Sequence, residues 1–184
     1  LWGYVPFFPS MDKTSDMYTK IIKNGTYSEV APQAQISIGA AREKQSDYAK
    51  AVKAYERAAD LYFDNDTVAA DALYKTALAY TKQAKTAEYD QHSASQAIET
   101  FNSFIALYPN DPRAGEAEKT IAELRTEQAR GAYQVARFYE KRGQTSGALV
   151  YFNEVLNRDP GSRYATESRQ RIEVLQRKSA REKE

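Results

Sequence analysis

Cysteine is absent from the chain, which removes disulfides, thiolate nucleophiles and zinc–thiolate sites together. It leaves the compartment open, since exported and cytosolic proteins can both lack it. Histidine occurs once, as His92, within the polar stretch "DQHSAS". A lone histidine has no second histidine or cysteine with which to build a triad or a transition-metal site, so His92 reads as a solvated residue. No Gly-rich phosphate loop follows a strand pattern, because Gly143 and Gly147 lack the strand. Asp64-Asn65-Asp66 looks like a start of calcium ligands, but the loop glycine and distal glutamate are missing and helix capping accounts for it. We therefore expect no enzyme, no cofactor and no metal.

Charge of one sign is lacking too. Twenty-six Lys and Arg face 25 Asp and Glu, and the net charge of +1 gives no global field to select nucleic acid or an anionic membrane. No stretch approaches the roughly 20 apolar residues a membrane-spanning helix requires. The chain opens on Leu1 and not on methionine, so we expect a fragment or a processed product, with any signal peptide or lipid-attachment cysteine lying upstream.

What the chain has is helix formers and tyrosine. Fourteen tyrosines stand against a single tryptophan, a bias toward side chains that bury a ring and keep a hydroxyl wet. The opening "LWGYVPFFPS" is a separate segment, 1–11, because Pro6 and Pro9 forbid helix while Trp2, Tyr4, Phe7 and Phe8 are too apolar for a free linker. It reads as an extended arm packed on the first helices. From 12 to 184 the chain reads as one all-α domain. Apolar residues recur three and four apart, and Gly, Pro, Asn and Asp mark the breaks. Eight helices result, over 12–24, 30–45, 47–62, 67–86, 91–107, 112–142, 145–158 and 162–181.

These helices repeat. Four junctions, "YSEVAPQAQISI", "DNDTVAADALYK", "PNDPRAGEAEKT" and "PGSRYATESRQR", place a capping Ser, Asp or Thr before small residues three apart. The small pairs are Ala31/Ala34, Ala69/Ala72, Ala114/Ala117 and Ala165/Ser168, and the spacing lengthens from each junction to the next. The segments "YAKAVKAYERAADLY", "ASQAIETFNSFIALYP" and "TSGALVYFNEVLNRDP" superpose without gaps. Ala51, Ala97 and Ala148 coincide, as do Tyr55, Phe101 and Phe152, and then Ala58, Phe104 and Val155. An alanine lets two helix backbones approach, and a ring four residues on fills the gap beyond it.

This spacing resembles the tetratricopeptide repeat, a helix-turn-helix unit of about 34 residues. Ala132, Val135, Ala136, Tyr139, Gly143, Ala148, Phe152, Leu156 and Pro160 match nearly the whole pattern. Arg42 departs from it where an aromatic is usual, and the middle unit carries about eight extra residues in "QAKTAEYDQHSAS". The resemblance implies a solenoid of helical hairpins wound as a right-handed superhelix, with 162–181 as its polar cap. The basic run "SRQRIEVLQRKSAREKE" suits that cap, since glutamates interrupt it and no aromatic is interleaved for stacking on bases.

The chain over 14–178 is further similar to the YfiO group of outer-membrane assembly lipoproteins. The likeness lies in units ending "YPND" or "RDPGS" and in the long helix "AEKTIAELRTEQARGAYQVARFYEKRG" running into "ALVYFNEVLNRDP". It implies a non-catalytic scaffold at the periplasmic side of the bacterial outer membrane, held there by a lipid or by partners. The implied partners are the periplasmic domains of the barrel-assembly insertase and unfolded outer-membrane proteins, whose C-terminal strands the early repeats would receive.

In the tetratricopeptide register the first helices of the hairpins line a groove. Its candidate residues are Gln33, Ile36, Tyr74 and Lys82, then Tyr133, Arg137 and Lys141, suited to a peptide with aromatic side chains or a carboxylate end. The YfiO likeness implies an arginine, paired with an insertase carboxylate, at the position that Tyr151 occupies here. Tyrosine cannot form that pair, which leaves Arg142 and Arg158 beside Tyr151 as docking candidates. Two other interaction proteins share hairpin repeats. A co-chaperone clamp would need Lys and Asn where this chain has Ile36 and Ala40, then Tyr133 and Arg137. A periplasmic adaptor of envelope-division or peptidoglycan machinery remains as the alternative.

Overall fold

A computed structural model of the protein describes residues 11–25, 28–86 and 90–181. Of the arm expected over 1–11, residues 1–10 lie outside the described residues, and Met11 belongs to the first helix. Eight helices run α1 (Met11–Asn24), α2 (Ala31–Lys44), α3 (Tyr48–Leu61), α4 (Asp66–Thr86), α5 (Gln91–Leu107), α6 (Ala114–Lys141), α7 (Thr145–Arg158) and α8 (Arg163–Arg181). No strand occurs among the described residues. The chain divides into two compact units, 1–117 and 118–184.

Short polar residues start most of the helices. Asp47 accepts from the Lys50 amide at 3.2 Å, Asn65 from Val68 at 3.2 Å, Asp90 from His92 at 3.0 Å and Asp111 from Arg113 at 2.9 Å. The first three satisfy an amide of the first helical turn that has no intrahelical partner, and Asp111 does so for the amide just before α6. The calcium-like triplet is therefore a cap. The expected cap of α2 is not formed: its N-cap is Val30, with no side-chain bond, and the Ser28 hydroxyl donates to the Gly25 carbonyl at 2.7 Å instead. Pro32 covers part of the loss, since it needs no partner for an amide hydrogen in the first turn.

The two units stop a helix in the same way. After α6, Gly143 adopts φ +71° and the Gln144 amide donates to the Tyr139 carbonyl at 3.0 Å. After α2, Ser46 adopts φ 59° and the Asp47 amide donates to the Arg42 carbonyl at 3.0 Å. This is the left-handed helix stop that glycine enters without strain and a Cβ-bearing residue does not.

The repeated small and aromatic positions build the interior. In the first unit each helix packs on its neighbours in sequence from α1 through α5, and α2 also touches α4. Among the described residues no comparable packing joins α1 to α5, so these hairpins stack in series. Tyr55, 1% exposed, lies among Ile36, Ala51, Val52, Ala58, Ala72 and Ala79. Gly39 on α2 lies directly under its ring, where an added Cβ would sit 2.3 Å from a ring carbon. In the second unit Ala136, Ala148, Phe152 and Leu175 form one cluster across α6, α7 and α8, and Ala129, Val155 and Ala165 form another. Gly147 there lies under Tyr139, at 2.8 Å by the same measure. Ala51, Ala97 and Ala148 are all fully buried, as the superposed segments require.

One small-residue position carries a polar atom. Ser168 is fully buried on α8, and its hydroxyl has no hydrogen-bond partner among the described residues. Ser168→Ala should raise stability by about 1 kcal/mol, because it removes a desolvated hydroxyl and leaves the shape unchanged. Ser46→Gly should raise it by about 0.5–1 kcal/mol by relieving the left-handed backbone. Denaturant unfolding of both variants measures the two effects, and a loss of stability in either contradicts its premise.

Candidate protein-binding surfaces

Two of the four groove candidates in the first unit are core residues. Ile36 is 3% exposed within the Tyr55 cluster, and Tyr74 is 6% exposed. Neither side chain is open to a ligand. The Tyr74 ring meets Phe101 edge-on at 5.7 Å and Phe104 at 5.2 Å, and the Arg113 guanidinium covers it at 4.7 Å. Burial, then a hydrogen bond to the Glu116 carboxylate, pushes the Tyr74 pKa up to about 12. Gln33 and Lys82 are exposed, and Lys82 pairs with Glu43 at 3.0 Å. A tyrosine on the first helix of a hairpin looks the same in sequence whether it faces solvent or the next hairpin.

Arg113 seals that pocket. It donates to both oxygens of Asp111, at 2.9 and 2.8 Å, and to Asp71 at 2.8 Å, while Asp71 also takes Lys75 at 2.5 Å. A guanidinium reaching two carboxylates and an aromatic face ties the start of α6 to α4 and α5. The Arg113 hydrogen bonds hold the Asp111 carboxyl well below its ordinary 3.8, at about 2.

In the second unit the structure brings three candidates together. Tyr133, Arg137 and Lys141 lie one turn apart on α6 and line an open depression of about 380 Å³ with Gln134 and Phe138. Tyr133 is half-buried against Phe152 at 5.8 Å and Tyr164 at 5.6 Å, and its hydroxyl donates to Glu167 at 2.5 Å. Burial and that carboxylate raise its pKa. Arg137 is ion-paired to Glu140, which Arg171 also approaches at 3.5 Å. Lys141 is exposed at the edge.

Phe138 is the residue that the sequence reading missed. It is 50% exposed, and the Arg142 guanidinium lies 4.3 Å above its ring. Its signal was present: it lies four residues after Gln134, on the row next to Tyr133 and Arg137 along the helix. The docking candidates separate. Arg142 joins this surface through Phe138, whereas Tyr151 stacks on Tyr139 at 5.4 Å with ring planes 9° apart. Arg158 is bound to Glu154 at 2.6 Å and to Gln128 at 3.2 Å, so its charge holds α7 to α6. Among the described residues no group of His, Asp or Glu has the arrangement of a metal site.

Helical hairpins stacked through small-residue and ring contacts, with polar and aromatic side chains left on the surface, define a tetratricopeptide-like repeat protein. Within that class the chain belongs to the YfiO family, described as outer membrane lipoprotein, whose family model matches residues 22–158. It is similar to the outer membrane protein assembly factor BamD of Caulobacter vibrioides, with 27% identity over 153 residues. That match covers 83% of this chain and 50% of the relative, so the chain spans about half the length of the curated relative it matches. No described helix is long and apolar enough to cross a membrane.

The Arg113 cluster sets an acid response. A carboxyl with a depressed folded pKa stabilises fully above its unfolded value near 3.8 and loses that contribution as pH falls toward about 2. Arg113→Met should cost about 1–3 kcal/mol at neutral pH by removing the partner of Asp111 and leaving Asp71 to Lys75 alone. It should also flatten the fall in stability between pH 4 and pH 2. Thermal unfolding across that range measures both, and an unchanged acid profile would show that Asp111 is not held by Arg113.

Proposed function

We propose that the chain is a non-catalytic scaffold for assembling outer-membrane β-barrel proteins, working at the periplasmic side of the outer membrane. Membership of an outer membrane lipoprotein family supports this reading, as does the likeness to an outer membrane protein assembly factor. In it the chain reaches the membrane through a lipid or through partners. No covalent step is involved. The work is binding, driven by buried ring area and charge-assisted hydrogen bonds.

The observation that carries the finer reading is the α6 depression. An exposed phenylalanine, a half-buried tyrosine and cations lie within one patch there. Such a patch suits an extended strand segment bearing aromatic side chains and a terminal carboxylate, the chemistry of an unfolded barrel protein's C-terminal peptide, and this moves that peptide from the early repeats, where Ile36 and Tyr74 are core, to α6. The insertase's periplasmic domains are the second partner. Arg142 is the docking residue for them that keeps its charge at the surface, while Tyr151 and Arg158 are occupied within the fold.

Phe138→Ala combined with Lys141→Gln should weaken capture of a fluorescein-labelled C-terminal barrel peptide about tenfold, with helix content intact. Tyr74→Ala should instead cost about 3 kcal/mol of stability or more, since it empties a core pocket. Fluorescence anisotropy and circular dichroism on the same samples separate the outcomes. Unchanged affinity in the folded double variant would remove the α6 surface from the proposal.

A further inference from the structure

The first unit holds a second surface of different chemistry. Helices α1, α2 and α3 enclose an open cleft of about 290 Å³. Ile22, Ile38 and Ala54 give it apolar walls, and Lys23 from α1 with Lys53 and Arg57 from α3 bring three cations to it. All three cationic side chains are exposed, and among the described residues no carboxylate lines the cleft. Among the described residues none of the three forms a side-chain ion pair or hydrogen bond. Most other cations of this unit that lie near acids are used: Lys50 pairs with Asp47, Lys75 with Asp71, Lys82 with Glu43 and Arg113 with two aspartates.

Three like charges around an apolar recess repel one another, and the arrangement costs free energy until an anion enters. We infer that this cleft binds an internal acidic segment of a partner protein, an apolar side chain seated on Ile22 and Ile38 with carboxylates on either side. The volume sits at the low end for a ligand pocket, enough for one side chain and its flanking groups. Three cations call for more than the one carboxylate that a chain end supplies. The apolar walls favour a peptide over a hydrated inorganic anion. The inference rests on the composition of the cleft and stands apart from the barrel-assembly reading, whose peptide surface is on α6.

The test uses the full chain and a fluorescein-labelled, C-terminally amidated peptide alternating glutamate and leucine. The wild type should bind it with an affinity that falls as salt rises. Lys53→Gln with Arg57→Gln should weaken binding at least about tenfold, since each lost contact is a charge-assisted one. Lys119→Gln, a change at an exposed lysine outside the cleft, should leave it unaltered. Circular dichroism checks that the variants keep their helices, and Lys23→Gln alone gives a milder second variant on another helix. Equal affinity in wild type and cleft variants overturns the inference. So does binding that appears only with a free C-terminal carboxylate. Cleft-dependent binding of inorganic phosphate or of phosphatidylglycerol vesicles, without binding of the peptide, assigns the site to a phosphate and overturns the peptide.

Discussion

A glycine or alanine on one helix receiving an aromatic ring from the next is the contact on which both units depend. Gly39 beneath Tyr55 shows its tolerance most plainly, because a single added carbon would occupy the space of the ring itself. Gly147 beneath Tyr139 is the same device in the second unit. Once the backbones are that close, alanines such as Ala51, Ala97 and Ala148 can be buried completely, and dispersion contacts accumulate along the whole seam. The helices are rich in helix formers, but most are too short to be stable alone, so packing between them carries the stability that isolated helices of this length lack.

Polar groups then fix what the apolar seam leaves adjustable. Gln35 is buried and donates its side-chain amide to the Ala54 carbonyl at 2.9 Å, which ties α2 to α3 at one register. Arg113 does the same for α4, α5 and the start of α6, and in doing so it closes the pocket around Tyr74. In the second unit Thr126 donates to Asp159 at 2.6 Å and Arg158 donates to Gln128, joining α6 to the end of α7. These bonds reach across helices that the packing already holds together, so their geometry selects one arrangement among several of similar apolar burial.

The charges not used in this way lie on the two surfaces proposed to bind other proteins. Along α6 an exposed ring and a lysine at the edge remain after Arg137 and Tyr133 have found carboxylates. Around the α1–α3 cleft three cations remain with none among the described residues. The family to which the chain belongs works through other proteins in the reading proposed above, and both surfaces have the mixed ring-and-charge or aliphatic-and-charge character that peptide recognition uses. The two differ in what they would accept: the first favours aromatic side chains, the second carboxylates.

The amino-acid sequence by itself determined the helices and their repetition. Apolar spacing of three and four residues, the Asp and Asn caps, and the coincidence of Ala51, Ala97 and Ala148 are local or periodic properties, legible without knowing which helix lies beside which. It also contained the tyrosines of the groove candidates, but not their fates. Tyr74 became core because Phe101 and Phe104 come to it from α5 and Arg113 from the turn before α6, whereas Phe138 stayed half in water with only the Arg142 guanidinium placed over its ring among the described residues. Arg158 and Arg142 are alike as residues, and only the position of Glu154 and Gln128 decided that one would be spent inside the fold. Exposure is a property of neighbours distant in the chain, and so the tertiary structure alone settled which side chains are available to bind.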